Sequence, residues 1–317
     1  AMSSSSTQVL DNLSFLSTLS EKIISATNHI ETRFLAPVFN PLEAKLRSFV
    51  APQVNAKINA FLAGQHPLAM GLPLMNPFRV FFIVIGYLLI VALGILLVSL
   101  IKPGKQGFRP KPLQILHNLV LVLVSAFMAI ETVRQWRLEN MSLFGNSIRD
   151  GSIAMARITC IFFLSKILEF TDTFIMVLKK NYRQISFLHL YHHASIFVVW
   201  WYVIFFAPGG ESYFSVILNS FIHVIMYSYY LSTTLGMPLT FIKPYITSMQ
   251  MMQFMCMMIQ AIYDLIMINP ATCNYPRSHM LLLAVYMVTM LGLFANFFMK
   301  DAQRRKALKR SQQKKSS

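Results

Sequence analysis

The chain has 317 residues, of which 55% are hydrophobic and only 13% are charged. Because soluble domains carry about 25% charged residues, this composition excludes a chain built only of water-soluble domains and indicates several membrane spans. The 28 Lys and Arg residues outnumber the 12 Asp and Glu residues, but eight of the basic residues lie in the last eighteen positions. No other basic, aromatic-rich surface is evident, so we expect membrane lipid and no nucleic acid as a partner.

The first segment, residues 1–77, mixes Ser, Thr and Asn with charged residues. Its pattern predicts short amphipathic helices broken by Pro37, Pro41 and Pro52. We expect this segment to lie at the membrane interface or in the lumen.

Seven windows of about 20 largely apolar residues follow, each long enough to cross a bilayer as a helix. The third, fourth and fifth are weaker, because they contain charged residues or histidines. The expected fold is an all-α integral membrane protein, with seven spans over residues 78–299 and a basic cytosolic tail over residues 300–317. The windows cover residues 78–101, 113–133, 155–178, 187–206, 213–234, 243–267 and 279–299.

Basic residues in the short loops predict the orientation. They concentrate after the first, third and fifth spans and in the tail, although the second loop contains Arg134, Arg137 and Arg149. We therefore expect a cytosolic C-terminus and an N-terminus on the opposite side. The chain ends in Lys314-Lys315-Ser316-Ser317, which resembles the dilysine signal that returns proteins to the endoplasmic reticulum.

Polar side chains recur at helical spacing inside four of the predicted spans, where lipid makes them costly and function is their first explanation. Each set also has a structural explanation in neutralised charges, aromatic packing or amide hydrogen bonds between helices. The third span contains Lys166, Glu169, Asp172 and Thr173, the fourth His189, His192 and His193, the fifth Asn219, His223, Tyr227 and Tyr230, and the sixth Thr247, Gln250 and Gln253.

The depths of these groups favour a shared site. A helix rises about 1.5 Å per residue, which places Asp172 and Gln250 roughly 10 Å from the cytosolic loops. The same rise places His192 at roughly 13 Å and His223 at roughly 18 Å. Four helices therefore contribute polar groups to one layer in the cytosolic half of the membrane, which scattered structural residues need not do.

A histidine-rich membrane site is typical of either a metal centre or metal-free acyl chemistry. Di-iron desaturases and hydroxylases use several histidine boxes, whereas this chain has one HxxHH box, so we expect no metal. A neutral imidazole is a competent nucleophile or base near neutral pH. No Cys lies on the histidine stripe, and no GxSxG motif of a serine hydrolase occurs. The histidines that stand alone in the sequence are His29, His66, His117 and His279.

Four linked motifs identify a resemblance. They are KxxExxDT at Lys166–Thr173, HxxHH at His189–His193, NxxxHxxMYxYY at Asn219–Tyr230 and TxxQxxQ at Thr247–Gln253. In order and spacing they resemble the ELO family of very-long-chain fatty acid elongases, and the resemblance covers roughly residues 73–300.

The resemblance implies seven transmembrane helices, with spans two to seven ringed around a narrow acyl tunnel. It also implies a very-long-chain 3-oxoacyl-CoA synthase, which joins a long-chain acyl-CoA to malonyl-CoA by a ping-pong route through an acyl-imidazole. The substrates are CoA thioesters, and no cofactor is expected. Further expected partners are the 3-oxoacyl-CoA reductase, dehydratase and enoyl reductase of the same cycle, and a second copy of the chain in a homodimer.

The resemblance also assigns roles. His192 is expected to accept the acyl group, assisted by His189 and His193, and His223 to contact the malonyl or 3-oxo group. We expect Asp172 and Asn219 to orient imidazoles. The remaining substrate-binding candidates are Lys166, Glu169, Tyr227, Tyr230, Gln250 and Gln253, together with Lys179, Lys180, Arg183 and Lys243 at a cytosolic mouth for the CoA phosphates.

The prediction of the substrate is based on three shorter stretches, at Leu72–Phe78, Asn181–His189 and Asn219–Val224. They resemble microbial elongases of delta-6 polyunsaturated substrates, so polyunsaturated C18–C20 acyl-CoA is the expected substrate. An elongase of saturated or monounsaturated acyl-CoA is the alternative, and a di-iron desaturase or hydroxylase is a more distant one. A receptor or transporter would share the span count but does not predict one polar layer.

Overall fold

The computed structural model describes residues 3–102, 104, 106–237, 239 and 241–316, and side chains between residues 15 and 303 of that set except those of Lys243 and Pro244. Within these residues the secondary structure is helical and contains no strand, which confirms the all-α prediction. A π-helical turn, Glu31–Leu35, follows α1, and a 3-10 turn, Pro67–Ala69, follows α3. The α-helices are α1 (Ser3–Ile30), α2 (Ala36–Ser48), α3 (Pro52–Ala63), α4 (Pro77–Ile101), α5 (Lys111–Leu138), α6 (Ile153–Leu178), α7 (Phe187–Phe206), α8 (Ser212–Leu235), α9 (Lys243–Met267) and α10 (Arg277–Ser316).

Helices α4 to α10 correspond to the seven predicted windows. In the described part of the chain, five helices are both long and apolar enough to cross a membrane, namely α4, α5, α7, α8 and the Arg277–Gln303 part of α10. Helices α6 and α9 have the length of a span, but α6 contains three charged residues within seven positions and α9 is rich in Thr and Gln. The structure therefore supports a multi-pass membrane protein with five helices of clear membrane character.

Helix α6 lies at the centre of the bundle. It packs against α1, α4, α5, α7 and α8, and α5 packs closely along α8 while α9 packs along α10. Because neighbours surround α6, its charged residues Lys166 and Glu169 are both 1% exposed. These charged side chains of α6 thus face other helices rather than lipid.

The N-terminal segment differs from its prediction. Helix α1, the π-helical turn and α2 follow one another without interruption, so Pro37 and Pro41 do not break the helix as expected. Pro37 falls in the first turn of α2, where a missing N–H is tolerated. Pro52 does begin a new helix, as predicted, and that helix is α3.

This segment packs against one end of the bundle, where α4 begins and α7 ends. The Glu31 carboxylate accepts a hydrogen bond from the backbone N–H of Leu74 at 2.7 Å and forms an ion pair with Arg79. The Phe61 ring stacks on Trp201 and Phe205. We call this end the 207–211 end, after the loop that joins α7 to α8, and the opposite end the 179–186 end.

Helix α10 extends beyond its predicted window. The apolar run ends near residue 299, but the helix continues to Ser316. The added residues include Ala, Gln, Lys and Arg, which are strong helix formers, so the basic tail adopts helical backbone. The side chains of Lys314 and Lys315 lie outside the described part, as does Ser317.

Candidate active site

The box histidines lie in the first two turns of α7. Ser186 caps this helix, because its Oγ accepts a hydrogen bond from the backbone N–H of His189 at 3.3 Å. The ring centroids of His189 and His193 are 4.4 Å apart, and those of His192 and His193 are 5.5 Å apart. The three imidazoles therefore form one contiguous cluster.

One face of α6 contacts an imidazole from each of three other helices. The three α6 residues stand at positions i, i+3 and i+4, which lie side by side on a helix. Their partners come from α8, α5 and α7 in turn. The contacts are Glu169 Oε1 to His223 Nδ1 at 3.3 Å, Asp172 Oδ1 to His117 Nε2 at 2.9 Å and Thr173 Oγ1 to His189 Nε2 at 2.8 Å.

Asp172 has a partner on each carboxylate oxygen. His117 occupies Oδ1, and the Tyr227 hydroxyl donates a hydrogen bond to Oδ2 at 2.7 Å. We expected Asp172 to orient imidazoles, and the imidazole that it contacts is that of His117 of α5, outside the histidine box. Thr173, the next residue along α6, contacts the box at His189 and also shares a hydrogen bond with the Tyr87 hydroxyl at 2.9 Å.

Lys166 and Glu169 form a buried ion pair beside the histidines. The Lys166 ammonium donates to Glu169 Oε1 at 2.6 Å and to Asn219 Oδ1 at 3.2 Å, and it lies 4.0 Å from the Phe162 ring centroid. Glu169 Oε1 also contacts His223, so one carboxylate oxygen links a lysine to an imidazole. Asn219 thus contacts Lys166, and it was expected to orient an imidazole.

Two box histidines carry a ring nitrogen without a hydrogen-bond partner in the described part of the chain, Nδ1 of His192 and Nδ1 of His193. His193 is buried, whereas the His192 side chain is partly exposed. Buried polar atoms normally have partners, and the exceptions need an explanation such as a catalytic role. Both nitrogens are themselves buried, and of the two residues His192 is the less buried as a whole.

The remaining polar candidates are two glutamines of α9 and a tyrosine of α8. Gln250 of α9 makes a long contact from Nε2 to the Met226 sulfur at 3.5 Å. Gln253 is buried, and its Oε1 has no hydrogen-bond partner among the described residues. The Tyr230 ring lies 6.0 Å from that of Tyr227 but is 41% exposed.

An apolar cavity adjoins the polar cluster, with about 620 Å³ of empty space that includes its part open to solvent. The two share Asn219, and along α7 the cavity begins at Ile196, about one helical turn beyond His192. It extends toward the 207–211 end, where Tyr275 and His279 line it. Helices α6 to α10 all contribute to its wall, through Phe162, Val199, Trp200, Val203, Ser212, Ser215, Phe254, Met257, Met280, Leu282, Leu283, Tyr286 and Met287.

The predicted basic mouth lies at the 179–186 end. Lys179 and Arg183 are exposed there, and Lys179 donates a hydrogen bond to Gln114 at 3.2 Å. Lys180 has a positive φ of 55° and donates to the backbone carbonyls of Lys102 and Gly104, so it contributes to loop structure. Lys243 begins α9, but its side chain lies outside the described part.

Two residues of this site, His117 and Tyr87, were not predicted from the sequence. Both stand alone in apolar windows, so no motif or stripe marked them. Depth would have identified His117, because it lies six residues beyond the start of α5 at Lys111, or about 9 Å, at the level estimated for Asp172. Among the described residues, no group of three or more His, Cys, Asp or Glu side chains is arranged to hold a metal ion.

Comparison with known proteins assigns this arrangement to a family. The model of the GNS1/SUR4 family (ELO) matches residues 72–310. The chain belongs to this family. Its N-terminal segment, from α1 through the 3-10 turn, precedes the matched region.

Two relatives show the extent of the similarity. Fatty acid elongase 6 of Leishmania major is 38% identical over 260 residues, which cover 79% of this chain and 67% of that protein. Very long chain fatty acid elongase 5 of Homo sapiens is 37% identical over 229 residues, which cover 71% of this chain and 74% of that protein. The family match over residues 72–310 includes the whole polar cluster and the cavity-lining helices.

Proposed function

We propose that this ELO family member is the condensing enzyme of fatty acid elongation, joining a long-chain acyl-CoA to malonyl-CoA to give 3-oxoacyl-CoA, CO2 and CoA. The observation that carries the proposal is the continuity of the polar cluster with the apolar cavity at Asn219. An acyl chain needs apolar space beside the reacting groups, and the cavity is lined mainly by apolar and aromatic side chains, as small-molecule sites are. The family and the names of its relatives support the same activity.

The first half-reaction transfers the acyl group to His192. A neutral ring nitrogen attacks the thioester carbon, the carbon–sulfur bond breaks, and the CoA thiolate takes the proton that the imidazolium releases. The unpartnered Nδ1 of His192 and its partly exposed side chain support it as the acceptor. His193, more buried and packed between its neighbours, and His189, fixed by Thr173, assist as positioning groups.

The second half-reaction forms the new carbon–carbon bond. Malonyl-CoA loses CO2, the resulting enolate attacks the acyl carbon, and the bond to the His192 nitrogen breaks as that imidazole regains a proton. His223, paired with Glu169, contacts the malonyl or 3-oxo group in this scheme. Lys166, which also donates to Asn219, fixes Glu169 from the other side. In this scheme Tyr227, Tyr230, Gln250 and Gln253 line the approach.

The membrane arrangement belongs to the same proposal. All seven long helices, including α6 and α9, span the membrane, and the 179–186 end faces the cytosol. Lys179, Lys180, Arg183 and Lys243 then bind CoA phosphates at that end, and the C-terminal lysines direct the chain to the endoplasmic reticulum. The substrates are the two CoA thioesters without a further cofactor, and the other enzymes of the cycle and a second copy of the chain are the partners.

The acyl group in this proposal is a polyunsaturated C18–C20 chain, and saturated or monounsaturated chains are the alternative. The test is to incubate the purified enzyme in lipid nanodiscs with labelled malonyl-CoA and a panel of C16–C22 acyl-CoAs. We expect 3-oxoacyl-CoA, with the highest kcat/KM for the delta-6 polyunsaturated members. Absence of this product across the panel would rule out the elongase, and loss of activity on chelation would favour a di-iron enzyme.

The acyl acceptor is tested without malonyl-CoA. Intact mass should rise by one acyl group after incubation with acyl-CoA alone, and His192→Ala should abolish the rise. His29→Ala, an exposed histidine of α1, is the matched control and should retain it. An adduct that persists in His192→Ala but disappears in His193→Ala would move the acceptor to His193.

A further inference from the structure

We infer that His117 is a positioning residue of this site, which fixes Asp172 and, through it, the Tyr227 hydroxyl and the Thr173–His189 contact. The inference rests on the proposed function for its activity readout. His117 lies in α5, outside the four motifs, and is 8% exposed. Its Nε2 is 2.9 Å from Asp172 Oδ1, which is a hydrogen bond of ordinary length between an imidazole and a carboxylate.

The contact matters because it completes the coordination of a carboxylate inside the bundle. With Oδ1 held by His117, Oδ2 is left to accept from Tyr227 at 2.7 Å. A carboxylate that accepts a hydrogen bond at each oxygen has a fixed orientation. The position at which the Tyr227 hydroxyl can donate to Asp172 is therefore fixed as well. Its ring lies 5.5 Å from the His223 ring and 6.2 Å from that of His117, which places Tyr227 between the two imidazoles.

Asp172 also borders the histidine box. Thr173 follows it on α6 and contacts His189, so a rotation of the Asp172 turn would displace that contact. His117 and the box therefore act on two adjacent residues of one helix. Losing His117 leaves an oxygen of a partly buried carboxylate without its donor, and such a group tends to move toward another donor. Displacements of about 1 Å in an active site can lower rates about 100-fold.

The pattern on α6 supports function over simple helix packing. Glu169 holds His223 and Thr173 holds His189, and both of those histidines belong to the motifs. His117 occupies the third position of the same arrangement, where it contacts Asp172. Simple packing of α5 against α6 would not need a histidine paired with a carboxylate. It would also not need the Tyr227 hydroxyl as a second donor to the same carboxylate.

The test compares His117→Gln with His117→Asn. The Gln amide nitrogen reaches about as far as Nε2 of histidine and can donate to Asp172, whereas that of Asn cannot reach. We expect His117→Gln to retain at least a third of wild-type kcat and His117→Asn to lose 10- to 100-fold, with KM for acyl-CoA changed less than about 3-fold. Leu116→Ala, the neighbouring exposed position on α5, is the control and should match wild type.

Two further measurements separate positioning from folding. Thermal unfolding should give similar midpoints for the Gln and Asn variants, since both replace the ring with an amide. In a double-mutant cycle, Tyr227→Phe should add little to the kcat loss of His117→Asn, because both act through Asp172.

Equal kcat values for the Gln and Asn variants, or a loss that tracks unfolding alone, would overturn the inference. If the wild-type chain makes no 3-oxoacyl-CoA, the proposed function fails instead, so the two failures are distinguishable.

Discussion

Helices α4 and α6 have nearly the same length and opposite chemistry. The most apolar window of α4 is only 17% buried, and its buried residues form the narrow seam Val80, Tyr87, Val91 and Val98. Helix α6 is buried on most sides and carries the Lys166–Glu169 ion pair. Hydropathy therefore identifies the helix that faces lipid and underrates the helix that builds the site.

A hydrogen bond between side chains joins the two helices. The Tyr87 hydroxyl contacts Thr173, and the Tyr87 ring stacks on Phe170 with centroids 4.2 Å apart. Helix α4 thus contributes the Tyr87 hydroxyl to the polar cluster, and its other polar contacts, from Arg79 and Ser99, lie outside it. Substitutions should accordingly have large effects on α6, intermediate effects along the cavity and small effects on the lipid face of α4.

The largest effect is expected at the buried ion pair. Glu169→Leu leaves Lys166 charged and unpaired in the bundle, which should destabilise the protein by about 3–5 kcal/mol and abolish condensation. The measurement is the apparent melting temperature in detergent micelles, alongside product formation. Lys166→Met with Glu169→Leu removes both charges and should recover most of the stability but no activity, because His223 loses its carboxylate. If the Glu169→Leu variant were as stable as wild type, the Lys166 charge would not depend on its ion pair with Glu169.

An intermediate effect is expected where α8 lines the cavity. Ser215→Phe adds an aromatic ring to the cavity wall, so long acyl chains should lose more than short ones. We expect the ratio of kcat/KM for C20 over C16 acyl-CoA to fall about 10-fold, equivalent to about 1.4 kcal/mol. Thr233→Phe, an exposed position on the same helix, should leave the ratio unchanged. An unchanged ratio in the Ser215 variant would place the acyl chain elsewhere.

The smallest effects are expected on α4. Tyr87→Phe keeps the ring and removes the hydroxyl, which should cost about 0.5–1.5 kcal/mol of stability. Leu89→Ala, two residues away and 55% exposed, should change stability by less than about 0.5 kcal/mol. Melting of the two variants in parallel measures the difference, and a greater loss at Leu89 would show that the exposed face of α4 has a protein partner.

Much of the fold could be predicted from the sequence, because apolar length alone located α4 to α10. The N-terminal segment was predicted less well. Prolines at 37 and 41 indicated breaks, but the preceding π-helical turn and the position of Pro37 in the first turn of α2 allow the helix to continue. The end of α10 was also misplaced, since the window criterion follows apolar residues and the helix continues through basic ones.

The sequence predicted which residues belong to the site better than it predicted which of their side chains contact each other. Helical spacing within one span correctly grouped His189 with His193, and depth placed Asp172 near the level of the box. Neither spacing nor depth could show that Asp172 contacts His117 and Tyr227, or that Thr173 is the residue that contacts His189. Those partners depend on how each helix is rotated about its axis.

The sequence by itself determined the helices, the family motifs and the level at which polar groups lie, because these depend on local spacing along one chain. The tertiary structure alone decided which side chains pair across helices, that an isolated histidine of α5 joins the cluster, and that a cavity begins at Asn219. The physical reason is that the rotation and offset of one helix against another are fixed by packing along their whole contact surfaces, to which every apolar residue between the motifs contributes.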